Sequence, residues 1–206
     1  RDASADYELL RLTDTVPEEL VPGMVAMTAA INDAPLDELR LEDEVFSPER
    51  LAGFRRAQAA AGRRIYQLVA RHRVSGELAG HTVVGVEGEQ PYFAQQFDTS
   101  VVAAHRGHRL GMTLKAGMLR WLADAQPALR TIDTWNASSN AHMLAVNEAL
   151  GFRVVATATV VQREVADLPS VPAGRRGSRQ PLDDHRVGHA AALADGDQTE
   201  LAAAAL

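Results

Sequence analysis

Residues Val101 to Gly111, reading VVAAHRGHRLG, decide how this chain is read. An apolar, strand-like run from Phe97 to Val102 enters a turn carrying two arginines, two histidines and a glycine. At Gly111 it gives way to the amphipathic run MTLKAGMLRWLADA, Met112 to Ala125. A strand, a basic glycine turn and a helix start in succession present backbone N–H groups and positive charge to an anion. A lone turn of this kind is a weak motif, so the segments around it have to carry weight.

Upstream, Tyr7–Leu12 is a short strand. Pro17 sits at a first-turn position and opens an apolar-periodic helix through about Ile31, with Leu20, Val21, Met24, Met27 and Thr28 along one face. Asn32 to Glu44 is acidic and irregular. Ser47-Pro48-Glu49 is a cap, a proline and an acid in sequence, and starts a second helix to about Ala61. Arg64–His72 and Leu78–Glu87 are rich in strand formers and flank the glycine turn Val74-Ser75-Gly76-Glu77, the pattern of a hairpin. Tyr92–Val102 is a third long strand, antiparallel to the one before it. Downstream, the helix after Gly111 ends before Pro127 and Arg130–Trp135 is a buried strand. Ser139 or Asn140 caps a helix that stops at Gly151, and Phe152–Glu164 is strand-like. Residues 1–166 therefore form one domain. Residues 167–206, rich in Pro, Gly, Arg, Asp and Ala, form a disordered tail with a short helix in its Ala-rich end.

A chain of 206 residues with 46% hydrophobic residues can build a sizeable core. With no Cys, disulfides and thiolate sites are excluded. A net charge of −6 disfavours a general nucleic-acid binder, and the HRGHR turn lacks aromatic interleaving. No stretch approaches the roughly 20 apolar residues of a membrane span, and the N-terminus lacks the apolar core of a signal peptide. The expected location is the cytoplasm. A start without Met points to processing or to excision from something longer. Basic residues are almost all Arg, Lys115 being the single lysine, which reads as genomic bias. His81, His105 and His142 lack metal-site spacing, so no metal is expected. Trp121 and Trp135 read as core residues.

The order of elements resembles the GNAT superfamily of acyl-CoA-dependent N-acetyltransferases. Two motifs carry the resemblance. The family's Q/R-x-x-G-x-G/A turn, with a Val five residues ahead, is met by Val101 and by Arg106-Gly107-His108-Arg109-Leu110-Gly111, with Arg109 replacing the middle glycine. The second motif is an Asn opening a helix that ends in Gly-Phe, here Asn140 to Gly151-Phe152. The segment TWNASSNAHMLAVNEALGF looks like the C-terminal half of actinobacterial tandem members, including the mycothiol synthase-like group. The resemblance spans about Tyr7 to Val165. It implies an α/β (α+β) fold with a mixed, largely antiparallel sheet flanked by helices and two splayed strands holding CoA.

That resemblance implies acetyl-CoA as cosubstrate and a small-molecule primary amine as acceptor. The pyrophosphate would lie on the N–H groups of Gly107 to Gly111, including Leu110, with Arg106, His108 and Arg109 adding charge. The pantetheine arm would pair with Val101 and Val102, and Asn140 would hydrogen-bond it or simply cap its helix. A Lys-like amine must lose a proton held by about 3.4 pKa units at pH 7, on the order of 4 to 5 kcal/mol. Asp98, three residues before Val101, is the best-placed base, or else a structural acceptor. Glu42, Asp43 and Glu44 sit where the family's substrate loop lies. Asn147 stands where the family often places a Tyr that reprotonates the departing thiolate. An amide is no acid, which keeps open the alternative of a degenerate CoA-binding or partner domain. A second copy or a second GNAT domain is the expected protein partner.

Overall fold

The computed structural model describes residues 4–35 and 42–162. The chain divides into two compact units, Arg1–Arg153 and Val154–Leu206. In the first, five strands form one sheet in sequence order: β1 (Tyr7–Thr13), β2 (Arg63–His72), β3 (Leu78–Glu87), β4 (Phe93–Val101) and β5 (Thr131–Thr134). β1 to β4 pair antiparallel, and β5 joins β4 parallel. Among the described residues four helices flank the sheet: α1 (Val21–Thr28), α2 (Pro48–Ala60), α3 (Leu110–Ala125) and α4 (Ala141–Ala149).

The expected elements up to Gly151 are present, with local adjustments. The helix expected from Pro17 to Ile31 is α1 between 3-10 turns at Glu18–Leu20 and Ala29–Asp33. Ser47 caps α2, its hydroxyl accepting from the N–H of Arg50 at 3.2 Å. β5 is an edge strand and only partly covered, not the buried strand expected. Trp121 packs in the core at 9% exposure, but Trp135 lies beyond the end of β5 and is 46% exposed, so it is no core residue. No strand forms over Phe152–Gln162: β-branched composition favours an extended backbone, but a strand exists only through ladder bonds, and Val154, Val155 and Val161 stand exposed. The expected boundary at residue 166 and the tail 167–206 lie outside the described residues.

The two faces of the sheet differ. Against α3, Tyr66, Leu68, Ala70, Val84, Val86 and Ala94 meet Leu110, Leu114, Met118, Trp121 and Leu122 in one apolar cluster. Against α1 and α2 the apolar cluster is smaller, with Leu12, Met24, Met27, Val69 and Leu78. Val69, His81 and Ser100 lie opposite one another across β2, β3 and β4, so the last two bring buried polar groups to that same face. Arg55 of α2 donates to Gln67 Oε1, and Gln67 Nε2 lies 2.7 Å from His81 Nδ1.

Candidate functional site

The site is set by where β4 and β5 part. Their pairing runs from Phe93 with Thr131 to Gln96 with Thr134 and then stops, although β4 continues to Val101. The break coincides with a β-bulge: between the pairs Thr82–Thr99 and Val84–Gln96, β4 carries one more residue than β3. Buried Gln96 holds the bulge by donating to Val83 O at 2.7 Å and Thr82 Oγ1 at 2.9 Å. Beyond it, Phe97–Val101 has no strand partner on the β5 side among the described residues. The edge of one strand is thereby left open along a gap that leads to the glycine turn.

The turn itself is built from unusual backbone. Gly107 has φ +84° and Arg109 φ +58°, both in the left-handed region. A glycine takes that conformation freely, whereas for Arg109 it costs about 1 to 2 kcal/mol. Arg109 is the residue just ahead of α3, and no side chain caps the helix start. The N–H groups of Leu110, Gly111 and Met112 precede the first intrahelical bond, from Thr113 N to Arg109 O at 3.1 Å. Gly111 has an ordinary helical backbone, and a Cβ built there meets no protein atom within 4 Å. Neither conformation nor packing demands a glycine at this point. The open space in front of these N–H groups leaves room for an anion to approach the backbone.

Of the predicted anchors, Arg109 and His108 are exposed beside this turn. Arg106 is engaged within the protein: its guanidinium donates to Val101 O at 3.0 Å and pairs with Asp33. Val102 N–H donates to Ala79 O at 2.9 Å. Asn140 is the N-cap of α4, its Oδ1 accepting from Met143 N–H at 3.2 Å. Asp98 lies at the bulge with its side chain reaching solvent. Loss of hydration, and then the negative charge of Glu44, raises its carboxyl pKa. Glu44 is placed by a two-way clamp, in which Asn32 Nδ2 donates to Glu44 O and Glu44 N–H donates to Asn32 Oδ1, each at 3.0 Å. Glu44 thus lies near enough to Asp98 for its charge to act on that carboxyl.

Sequence reasoning missed three features. Tyr7 OH lies 3.0 Å from His105 Nδ1, and the rings of His72 and His108 lie 5.3 and 5.7 Å from that of Tyr7, tying the turn to the start of β1. Asp33, ahead of α2, holds Arg106. Lys115 is buried at 1% exposure on α3 with its Nζ 5.0 Å from the ring centre of Phe152. Only Lys115 left a signal, as a lone lysine inside an apolar helical stripe. The Tyr7 and Asp33 contacts cross long sequence separations and left none.

No protein-family model matches the chain, and no curated protein does. Solved structures do. A tandem GNAT protein from the clavulanic acid biosynthesis pathway is 34% identical, with a TM-score of 0.60 over 71% of this chain and 42% of that one. This chain thus spans less than half the length of that protein. An acetyltransferase of Trypanosoma brucei matches at 17% identity and TM-score 0.54, over 77% of this chain and 100% of its own. A putative acetyltransferase of Salmonella typhimurium, solved with acetyl-CoA, matches at 17% identity and TM-score 0.52, over 72% of this chain and 82% of its own. The last two speak for the fold alone.

Proposed function

Taking this chain as the GNAT-superfamily domain that its fold and its similarity to a tandem GNAT protein make it, we propose that it transfers an acetyl group from acetyl-CoA to a primary amine of a small molecule. The amine attacks the thioester directly. The observation that carries the reading is Gly111, a glycine with no internal reason to be one, at the end of a gap between strands. The N–H groups of Leu110, Gly111 and Met112 would hold the pyrophosphate, with His108 and Arg109 supplying charge. Arg106 would first of all brace the turn through Asp33 and Val101. The open edge Phe97–Val101 offers peptide groups to the pantetheine arm, and its N–H groups can polarise the thioester carbonyl.

Asp98 takes the role of base. A carboxyl whose pKa is raised lies nearer the working pH and accepts a proton from the attacking amine more readily. Glu44, whose backbone Asn32 holds and whose carboxylate pairs with Arg50, lends further negative charge near Asp98. Pairing with a second GNAT domain or a second copy belongs to this proposal, because the chain covers only 42% of the tandem protein.

A second reading rests on Asn147. It is buried at 5% exposure, donates to Asn136 Oδ1 at 2.7 Å and offers no acidic proton, as suits a domain that holds CoA without turnover. Calorimetry separates binding from its absence: wild type should bind acetyl-CoA, and Gly111→Asp should weaken it by roughly tenfold to a hundredfold. The same substitution should not lower Tm, since the new side chain meets open space and an acid suits a first helical turn. Absence of binding by wild type at millimolar ligand would overturn both readings. Steady thiol release with any member of an amine panel would dispose of the second alone.

A further inference from the structure

Lys115 is the only lysine of the chain and is almost completely buried. Among the described residues no hydrogen bond or ion pair engages its ammonium, which lies 5.0 Å from the ring centre of Phe152. A buried cation without a counter-charge is costly, and such groups persist where something else compensates them. Its position shows what that is. Lys115 lies four residues after Gly111, so both occupy one face of α3, and a helical side chain leans back toward the N-terminus of its helix. The ammonium reaches Phe152, just past the end of α4.

The opposite wall of the same place is polar and incomplete. Phe152, beneath the ammonium, donates its N–H to Asn147 O at 3.0 Å. The Asn147 side chain reaches Asn136, two residues past Thr134, the last residue of β5 still paired to β4. Asn147 Oδ1 is buried and has no hydrogen-bond partner among the described residues. Lys115, Phe152, Asn147 and Asn136 thus connect the ligand-facing stripe of α3 to the side of the strand gap where β5 turns away.

We propose that Lys115 is the counter-charge for the sulfur of CoA at this gap. This rests on the CoA-binding reading above. As the acceptor nitrogen bonds to the acetyl carbon, the C–S bond breaks and its electron pair stays on sulfur. Lys115 Nζ gives that sulfur a proton, leaving CoA as the thiol and lysine as a neutral amine, which solvent recharges. The proton lost by the acceptor nitrogen leaves through Asp98. Burial alone, with no contribution from a neighbouring charge, brings the Lys115 pKa down to about 8, near the roughly 8.5 of a cysteine-type thiol. An ammonium whose pKa burial lowers is a readier proton donor than an exposed lysine. Asn147, whose amide is no acid, is then not required as the proton donor.

The test compares CoA with desulfo-CoA, which lacks the sulfur, and needs no acceptor amine. Wild type should bind CoA roughly tenfold more tightly than desulfo-CoA, the size of one charge-assisted contact. Lys115→Met keeps the length and apolar burial of the stem and should reduce that preference below about twofold, while Lys115→Arg, which keeps the charge, should retain part of it. A purely structural lysine would shift Tm in both variants and leave the CoA to desulfo-CoA ratio at its wild-type value, overturning the proposal. Equal binding of the two ligands by wild type would do the same while the CoA reading stood. Binding of neither would overturn both.

Discussion

The two faces of the sheet are built on different terms. Toward α3 the interface is mainly apolar from Leu110 to Leu122, its buried polar side chains Gln96 and Thr82 bonded to each other, and it is closed by an edge-on contact between Tyr66 and Trp121 with ring centres 5.1 Å apart. Toward α1 and α2 the same strands bury Gln67, His81 and Ser100, and three buried atoms there, Arg55 Nη1, His81 Nε2 and Ser100 Oγ, find no partner. One face is rigid by packing and holds the turn in place. The other carries unspent hydrogen-bonding capacity beside Asp98 and Glu44, where an acceptor would be chosen. A scaffold that must hold an invariant cosubstrate and adapt to a variable one gains from that division.

Shortening a side chain on each face should break the comparison most visibly. Leu114 is completely buried between α3 and the sheet, so Leu114→Ala leaves a cavity and should cost about 2 to 5 kcal/mol in chemical denaturation. Leu51 of α2 is only partly covered on the other face, and Leu51→Ala should cost on the order of 1 kcal/mol. Equal losses would mean that the α1–α2 face is as tightly packed as its opposite.

Acid should sharpen the contrast, through His81. Arg55 donates to Gln67 Oε1, which turns the Gln67 amide nitrogen to His81 Nδ1 and leaves the proton of the neutral ring on Nε2. Burial, and then the charge of Arg55, lowers the His81 pKa from 6.5 to about 4. The unfolded chain therefore binds the proton first as pH falls. His81 leaves stability intact above about pH 6.5, removes it progressively from there toward about pH 4, and has taken on the order of 3 kcal/mol at the lower end. Urea melts of wild type and His81→Gln should differ in slope over that window and run parallel above it. Parallel profiles throughout would show that the buried imidazole is already solvated.

Legibility in the sequence followed the same division. Period and caps disclosed β1 to β5, Ser47, Asn140 and the helix around Leu114 and Met118, because each is a local decision, but misread Phe152–Gln162 as a strand. Motif spacing found the turn and its two glycines. What stayed hidden were pairings over long separations: Tyr7 with His105, Arg106 with Asp33, and the Arg55–Gln67–His81 chain. Polar partners across a sheet leave no periodic trace. Lys115 was visible as an oddity, yet only the packing of α3 turned a lone lysine into a buried cation.

The smallest effect concerns Arg109, where the rigid face meets the ligand. Its left-handed backbone, φ 58° and ψ 22°, is the conformation glycine adopts freely, and glycine is what the family motif has at this position. Arg109→Gly relieves about 1 to 2 kcal/mol of native strain and gives back about 0.4 to 1 kcal/mol through a freer unfolded chain. Stability should therefore rise by about 0.5 to 1 kcal/mol. The guanidinium is exposed next to the free N–H groups of α3, so its removal should weaken CoA by only a few fold, as befits a solvent-screened contact. A more stable variant that binds less well would mean that the turn tolerates strain to keep a cation at its mouth. A more stable variant with unchanged affinity would leave the backbone N–H groups alone as the cradle and strip Arg109 of any part in it.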